Sequence, residues 1–374
     1  MSRSYLDHAS TSPARPAVVE AMATWLSAPA GDPGRIHTEG LTARVAVETA
    51  REEVATLFGA RSREVVLTSG ATEAIAAAVW GAAERGTHQV VPAVEHSAVR
   101  ETAARAGEVT VIGVDGMGRI DVDELLAAIR PDTALVHVQW ANHEVGTVQP
   151  VAEVVTACRE RGVLVHVDAA QANGHLPIAF DDLGADLLSV SAHKFGGPPG
   201  IGALLVRRGL RLRPRLLGGD QERARRAGME NVPAIAGFGA AAAALADGAL
   251  DAEAATARRL TDRVLATVPD LDGVRAYGDP VDRAPHLVCL GIDGIEPQAV
   301  LLGLDRAGVA AHSGSACSSE SLEPSPVLEA MGVDAHRSLR ISVGWSTTDA
   351  DIDTLLTALP KVLANLRALG EPPR

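Results

Sequence analysis

Short apolar runs alternate with helical stretches through the first two-thirds of the sequence, and this alternation limits the fold more than any other feature. The runs of strand type cover residues 64–69, 88–93, 108–114, 134–140, 164–169, 186–191 and 202–208. Helical patterns fall between several of them, at 72–85, 121–130 and 151–162. Because strands joined by helices pair in parallel, the pattern predicts an α/β fold with a mostly parallel sheet and helices on both faces.

The pattern changes near residue 248. A long helix pair spans about 231–268, and shorter strand-like and helical stretches then follow at 286–292, 297–308, 339–345 and 348–368. A chain of 374 residues is long enough for one large core or for two. The C-terminal third is therefore predicted to form a smaller α+β unit.

Charge and cysteine content exclude several classes of partner. The formal net charge of −13 argues against a surface for nucleic acid or for anionic membranes. The longest apolar run, 232–246, is rich in Ala and Gly and shorter than the ~20 residues that span a bilayer. The first residues contain no apolar signal region, and three cysteines form no disulfide framework in so long a chain. We expect a cytoplasmic protein with no membrane, nucleic-acid or metal partner.

The stretch TSGATEA, residues 68–74, follows a strand and opens a helix. The first N–H groups of a helix have no partner within it and carry a partial positive charge, so they bind phosphate. Gly70 lets the backbone approach closely, and Thr72 adds a hydroxyl group. Because most helix starts of this kind are simply capped, the stretch alone does not define a site.

Two further polar side chains follow neighbouring strands. Asp168 lies near the end of the run at 164–169, and Lys194 follows the run at 186–191, just before the glycine-rich stretch 196–202. Open α/β sheets bind their ligands at the carboxyl ends of strands. An isolated Asp at such a position more often caps a helix. A phosphate-binding turn, an acid for a pyridinium nitrogen and a lysine for a Schiff base together indicate pyridoxal 5'-phosphate.

The three cysteines differ in their surroundings. Cys158 lies in a helical stretch and Cys289 in a strand-like run, as packed structural cysteines do. Cys317 lies instead among serines, alanines and a glycine in AAHSGSACSSES, residues 310–321. A thiolate in such a segment is suited to act as a nucleophile, and the alternative is a free surface cysteine.

Nine stretches spread over nearly the whole chain resemble the cysteine desulfurases, fold-type I pyridoxal-phosphate enzymes of the class-V aminotransferase superfamily. They are YLDHASTSP, TSGATEA, VEHSAV, NHEVGTVQPV, HVDAAQANGHLPI, SAHKFGGPPGIGAL, GGDQERARRAG, HSGSACSSESLEPSPVL and LRISVGWSTT. The specific part of the resemblance is the joint occurrence of the lysine and cysteine motifs in this order. With the strand and helix pattern, it implies a large cofactor-binding α/β domain over 16–248. A small α+β domain over 249–374 would pack against residues 1–15.

The resemblance assigns the cofactor site residue by residue. It makes Lys194 the Schiff-base lysine and Asp168 the partner of the pyridine nitrogen, whose protonation makes the ring an electron sink. His96 corresponds to the residue that stacks on the ring, and Gln171 to a partner of its phenolic oxygen. The positions that bind the phosphate are Thr72, Ser191 and His193, with the backbone amides at Gly70 and Ala71.

The resemblance also implies the conversion of L-cysteine to alanine. Arg340 corresponds to the arginine that holds the substrate carboxylate, a task that suits its planar fork, and Asn142 corresponds to a position near substrate and cofactor. Lys194 would remove the α-proton. Cys317 would attack the substrate sulfur, carry it as a persulfide and pass it to a sulfur-acceptor protein.

Three positions depart from the family pattern. His143 stands where an asparagine would bond the phenolic oxygen, and imidazole donates that bond only in one tautomer. Met229 replaces a threonine that would reach the partner subunit's phosphate, and a thioether donates no hydrogen bond. We expect weaker phosphate anchoring or compensation by Asn231. Ala74 replaces a residue that is usually polar.

Several alternatives remain open at this point. Another activity of the superfamily, such as a selenocysteine or cysteine-derivative lyase or an aminotransferase, is the second prediction, although an aminotransferase needs no Cys317. A scaffold without catalysis is the third. The family implies a homodimer with sites at the subunit interface. The sulfur acceptor is not specified, so iron–sulfur cluster assembly, tRNA thiolation, DNA sulfur modification and thio-cofactor pathways all fit.

Overall fold

Strands and helices alternate along the protein in the computed structural model, which describes residues 3–27, 31–314 and 324–370. The strands are β1 Ser4–Tyr5, β2 Val65–Thr68, β3 His88–Pro92, β4 Glu108–Ile112, β5 Thr133–Gln139, β6 Leu164–Asp168, β7 Leu187–Ser191, β8 Gly202–Val206, β9 Val274–Tyr277, β10 Leu287–Ile292, β11 Val309–Ala310 and β12 Ser338–Ser342. The helices are α1 Pro16–Ser27, α2 Thr38–Leu57, α3 Ala71–Ala82, α4 Ser97–Ala106, α5 Val122–Ala127, α6 Val151–Glu160, α7 Phe180–Leu183, α8 Gln221–Ala224, α9 Val232–Ala243, α10 Ala249–Thr267, α11 Pro297–Arg306, α12 Pro326–Ala330 and α13 Asp349–Gly370.

A seven-stranded sheet in the order β2-β8-β7-β6-β5-β3-β4 forms the centre of the molecule. The strands from β4 to β7 are parallel, while β8 runs antiparallel to both of its neighbours. Most of these strands are buried along their whole length, because helices cover both faces of the sheet. The predicted α/β fold with a mostly parallel sheet is confirmed, and the antiparallel β8 is the exception that the sequence pattern did not indicate.

This topology brings the chemically distinctive segments to one edge of the sheet. Since β2 and β7 are both antiparallel to β8, β2 points the same way as β3, β5, β6 and β7. The carboxyl ends of all five strands therefore lie together. At this edge, β2 leads into α3 and β3 leads into α4. Asp168 is the last residue of β6, and Lys194 lies in the turn that follows β7.

The C-terminal part packs around a smaller sheet. Strands β12, β10 and β9 pair antiparallel in that order, and β1 pairs parallel with β11. A separate apolar cluster joins Leu6 to residues from 257 to 363. This cluster supports the proposed division into a unit over 16–248 and a second over 249–374 that includes residues 1–15.

One predicted pair of helices is confirmed, and two other helices were not indicated by the sequence pattern. The helix pair predicted over 231–268 consists of α9 and α10, and Gly248, with φ of 84° in the left-handed region, precedes α10. Helices α1 and α2, which pack against α9, were not predicted. The exposed faces of both carry scattered apolar residues, which obscure the helical period of their sequences.

Two buried histidines, His137 on β5 and His166 on β6, are neighbours in the central sheet. Nδ1 of His137 lies 3.0 Å from Nδ1 of His166, and the outer nitrogens bond Gln89 at 2.9 Å and Ser189 at 2.7 Å. Gln89 accepts from His137, so His137 accepts from His166, which in turn accepts from the Ser189 hydroxyl. Burial lowers the pKa of His166 to about 3 and that of His137 well below its ordinary value. Both rings are neutral in the folded protein.

We expect these two histidines to make the fold sensitive to acid. In the unfolded chain they titrate near pH ~6.5, so their stabilising effect is complete above that pH and decreases as the pH falls below it. The pair should cost about 3 kcal/mol of unfolding free energy per pH unit below ~6. Urea denaturation between pH 7.5 and 5 measures this slope. The double variant His137→Gln/His166→Gln should have a shallower slope by that amount, and equal slopes would contradict the assignment.

In the described parts of the chain, no helix combines the length and apolar character needed to cross a bilayer. Among the same residues, no three His, Cys, Asp or Glu side chains are grouped so that they could hold a metal ion.

Candidate active site

A cavity of about 390 Å³ lies at the carboxyl edge of the central sheet. Ten of the residues predicted for the site line it: Gly70, Ala71, Thr72, His96, His143, Asp168, Gln171, Ser191, His193 and Lys194. Asn142 and Arg340 are not among its lining residues. Cys317 lies outside the described residues.

The start of α3 forms one wall of the cavity. Gly70 precedes the helix with φ of 149° and ψ of 179°, a conformation open essentially only to glycine, and no side chain caps the helix. The leading N–H groups, which have no partner inside the helix, are left for a ligand. The hydroxyl of Ser191 lies 3.9 Å from where a Cβ at position 70 would stand, so both residues border the same space. This wall has the chemistry of an anion site.

Glu73 lies in the same wall, and its charge is compensated. Its carboxylate accepts from the Ser69 N–H at 2.8 Å and pairs with the Arg226 guanidinium at 2.8 Å. Burial raises the pKa of Glu73, but the hydrogen bonds from Arg226 and Ser69 outweigh this effect, and the net pKa is lowered. The Arg226 charge therefore offsets the carboxylate that would otherwise repel an anion. Sequence reasoning missed this pair, because its members lie 153 positions apart.

Lys194 ends the short 3₁₀ turn Ala192–Lys194 that follows β7. Its Nζ donates to the carbonyl oxygens of Ala9 at 2.5 Å and Ser10 at 3.2 Å. Burial lowers the pKa of Lys194 to about 8, and the positive charge of Arg340 adds to this shift. A substantial fraction of the amine is therefore unprotonated near neutral pH, which is the form that attacks a carbonyl.

Asp168 ends β6, where it pairs with Gln139 at the end of β5 and with Ser189 of β7. It is 7% exposed, and its Oδ1 accepts from the Ala170 N–H at 3.0 Å. One carboxylate oxygen is thus fixed by the backbone. The Asp168 side chain lines the cavity, where its carboxylate can accept a hydrogen bond from a protonated ring nitrogen.

His96 starts α4 and its Nδ1 accepts from the Ala98 N–H at 3.0 Å, so the ring proton is on Nε2. Burial lowers the pKa of His96 to about 4, with the neighbouring His143 as the next cause. The two rings meet edge to face with centroids 5.1 Å apart. The His96 ring is therefore neutral and offers a flat face to a ligand. Its tautomer is fixed by the hydrogen bond that Nδ1 accepts at the start of α4.

A buried carboxyl lies next to this ring and was not singled out from the sequence. Glu95 is 1% exposed, and neither of its oxygens has a hydrogen-bond partner. Burial raises the pKa of Glu95 well above its ordinary value, and the negative charge of Asp168 adds to the effect. This shift of the pKa favours the protonated, uncharged form of the Glu95 carboxyl.

The amide of Asn142 is fully used in holding its own loop. Its Oδ1 accepts from the N–H groups of Glu144 and Val145, both at 2.9 Å, and its Nδ2 donates to Val94 O and Gln139 Oε1, both at 3.2 Å. The structure thus gives Asn142 partners that differ from the substrate contact expected for it.

Arg340 lies on β12 behind the cavity and is 2% exposed. Its guanidinium donates to the His143 carbonyl at 2.8 Å, the Asp7 carboxylate at 3.0 Å and the Ser10 hydroxyl at 2.7 Å, while Nε has no partner. These contacts tie the second sheet to the N-terminal segment and to the His143 loop. A substrate carboxylate would have to replace one of them.

The two cysteines in the described residues are unreactive. Cys158 and Cys289 are both buried and free. Burial raises the pKa of Cys158 to about 11, and it raises the pKa of Cys289 further. The prediction that both are packed structural cysteines is confirmed.

Met229, which departs from the family pattern, and Asn231, which was expected to compensate for it, are not among the residues that line the cavity. Met229 is largely exposed. Asn231 accepts from the Ala234 N–H with its side-chain oxygen and so caps α9. Its carbonyl oxygen is occupied, which leaves only the amide nitrogen for any compensating role toward a phosphate.

Comparison with known proteins gives a consistent result over the whole chain. Residues 4–355 match the family described as Aminotransferase class-V. A cysteine desulfurase of Trichormus azollae is 43% identical, covering 99% of this chain and 95% of the relative. The cysteine desulfurase IscS of Methanosarcina thermophila is 40% identical, covering 98% of this chain and 93% of the relative.

Solved structures agree. A NifS-like protein superposes with a TM-score of 0.90 at 31% identity, over 97% of this chain and all of the other. The protein SspA, solved in complex with cysteine, superposes with a TM-score of 0.81 at 29% identity, over 92% of this chain and all of that structure.

Proposed function

The chain belongs to the class-V aminotransferase family and is a cysteine desulfurase, and from this we propose that its cavity holds pyridoxal 5'-phosphate and binds L-cysteine. The observation that carries the proposal is the Lys194 amine, buried, with a lowered pKa, in one cavity with Asp168 and an uncapped helix start. Each of these features supplies a different part of what that coenzyme requires.

The residues of the cavity fit the coenzyme. The N–H groups at the start of α3 and the side chains of Thr72, Ser191 and His193 would hold its phosphate. Asp168 would hold a proton on the ring nitrogen, and the flat neutral face of His96 would cover the ring. When bound, the coenzyme supplies an electron sink for the charge released at the substrate α-carbon.

Lys194 has two tasks in this proposal. Its Nζ would hold the coenzyme through the aldehyde group, a task that requires the unprotonated amine that burial favours. When it is free, the same Nζ would accept the α-proton of the bound cysteine. The carbonyls of Ala9 and Ser10 stabilise the resulting ammonium, because both already accept hydrogen bonds from it.

Cys317 would receive the sulfur. Its thiolate attacks the substrate sulfur, so that an S–S bond forms as the Cβ–S bond breaks. The electron pair of the broken bond stays with the carbon fragment, which protonation converts to alanine. The persulfide on Cys317 is then handed to a sulfur-acceptor protein, and the product of the reaction is sulfane sulfur for biosynthesis.

A homodimer in the cytoplasm is part of the same proposal. Apolar side chains that a monomer would leave in water are exposed on α1 and α2, among them Val19, Leu26, Leu41 and Val45. The free thiols of Cys158 and Cys289 support a reducing compartment. Light scattering that gives a mass near 38.7 kDa, rather than about twice that value, would contradict the dimer.

The activity is tested by incubating the purified, coenzyme-loaded protein with L-cysteine and a thiol reductant. We expect alanine and sulfide in equal amounts. Selenocysteine and an amino-acceptor keto acid serve as parallel substrates. Turnover of one of these in place of cysteine would overturn the assignment.

Arg340 is proposed to hold the substrate carboxylate through its fork. The variant Arg340→Lys keeps the charge but replaces the planar fork of two nitrogens with one nitrogen, so we expect the KM for cysteine to rise about tenfold or more, with a smaller change in kcat. Steady-state kinetics measures this. Arg275→Lys, an exposed surface substitution, is the matched control. An unchanged KM in Arg340→Lys would mean that another group holds the carboxylate.

A further inference from the structure

Two buried imidazoles stack face to face behind the cavity. The rings of His175 and His286 have centroids 3.6 Å apart and planes within 11° of each other. His175 follows β6, and His286 immediately precedes β10 in the second sheet. Neither ring lines the cavity, and neither has a task in the reaction as described above.

Each ring also contacts one residue of the site. Nε2 of His175 lies 3.2 Å from the backbone oxygen of Lys194, and Nε2 of His286 lies 2.9 Å from the amide nitrogen of Gln171. A carbonyl oxygen only accepts, so His175 carries its proton on Nε2. The stack therefore connects the lysine that binds the coenzyme to the glutamine that faces its ring.

The contact between Gln171 and His286 can be made in two ways. If the Gln171 nitrogen donates, then His286 carries its proton on Nδ1, which is buried without any partner. If the amide is rotated by 180°, its oxygen accepts from His286 Nε2–H, and only a lone pair is left unpaired at Nδ1. An orphaned buried N–H is the rarer of the two situations in folded proteins.

The cavity favours the same choice. In the first arrangement the oxygen of Gln171 is the atom left for the cavity, and it would face the anionic ring oxygen of the coenzyme. In the second, the NH₂ group is left for the cavity and can donate to that oxygen. Burial also lowers the pKa of His175 to about 3 and that of His286 well below its ordinary value, so both rings are neutral.

We propose that His286 is a positioning residue, which donates from Nε2 to the Gln171 side-chain oxygen and so turns the Gln171 NH₂ group toward the coenzyme's ring oxygen. The stack on His175 fixes the plane of the His286 ring and thereby the direction of the donor. This inference rests on the proposed function, because it needs the coenzyme in the cavity.

The test uses the visible absorption band of the coenzyme-loaded protein as a function of pH. A donor to the ring oxygen makes that oxygen less basic, so the proton it shares with the Lys194 nitrogen leaves at lower pH. In His286→Phe, which keeps a flat stacking ring but has no donor, we expect the midpoint of the band to rise by about one pH unit, a tenfold change in proton affinity. His286→Gln, which restores an N–H donor, should return the midpoint most of the way.

A double-mutant cycle separates positioning from a general structural role. Gln171→Leu should give the same rise as His286→Phe, and adding His286→Phe to Gln171→Leu should give no further rise. Additive shifts, or an unchanged midpoint in His286→Phe, would overturn the inference. If His286→Phe does not fold, then a cycle with His286→Leu, which also lacks an N–H donor, and Gln171→Leu decides the question in the same way.

The outcomes also separate this inference from the proposed function. A wild-type protein that shows no coenzyme band overturns both. A wild-type protein that shows the band and forms alanine, together with an unshifted His286→Phe variant, overturns the role of His286 alone.

Discussion

Replacing Lys194 by alanine is expected to abolish the formation of alanine and sulfide from cysteine, with a loss of at least about 10⁴-fold in rate. The variant lacks the amine that we propose both binds the coenzyme and takes the α-proton, and among the described residues no second lysine lines the cavity. We expect Lys194→Ala to bind the coenzyme loosely and to carry no band that borohydride reduces. Lys194→Arg should be equally inactive, because a guanidinium stays protonated and cannot attack an aldehyde.

The sequence provides an unusually clean control for this experiment. Lys361, on the exposed side of α13, is the only other lysine of the chain. Lys361→Ala should keep full activity, and borohydride reduction of the wild-type protein should label a single lysine-containing peptide. Coenzyme uptake by the apoprotein should accelerate as the pH rises through about 8, where Lys194 loses its proton. Turnover in Lys194→Ala comparable with wild type would remove the basis of the proposed chemistry.

Replacing Cys317 by alanine is expected to leave the coenzyme band intact and to eliminate sulfide release from cysteine. The reason is chemical: without a thiolate there is no acceptor for the substrate sulfur, whereas the groups that hold the coenzyme are untouched. Mass spectrometry of the wild-type protein after a brief exposure to cysteine should find the extra sulfur on the peptide that contains Cys317.

Cys158→Ala is the matched control for that variant. Its thiol is buried in α6 and has a raised pKa, so its loss should cost about 1 kcal/mol of stability and leave turnover unchanged. Sulfide production by Cys317→Ala at the wild-type rate would mean that the sulfur leaves without passing through this residue.

The sequence predicted the part of the site that depends on local order along the chain. Asp168 and Lys194 each follow an apolar run, and parallel strands end at the same edge, so their proximity followed from the pattern. The turn at Gly70 was recognisable because the end of a strand, a glycine and the start of a helix follow one another within residues 68–74.

What the sequence did not predict depends on contacts between distant segments. The pairing of Glu73 with Arg226 and the stack of His175 on His286 join residues more than a hundred positions apart. Two isolated histidines form no periodic pattern in the sequence, so the sequence alone does not predict that their rings stack. Asn142 illustrates the reverse case, because a motif assigns it to the substrate while its hydrogen bonds belong to its own loop.

The N-terminal segment connects the second sheet to the residues around Lys194. Its residues 4–6 are hydrogen-bonded to β11 and β12, whereas the N–H groups of Ser12 and Arg15 are bonded to the carbonyls of His193 and Gly196 beside the lysine. The two carbonyls that hold the Lys194 ammonium lie between these anchor points. A displacement of the second sheet relative to the central sheet would therefore move those carbonyls, and with them the hydrogen bonds that stabilise the protonated form of Lys194.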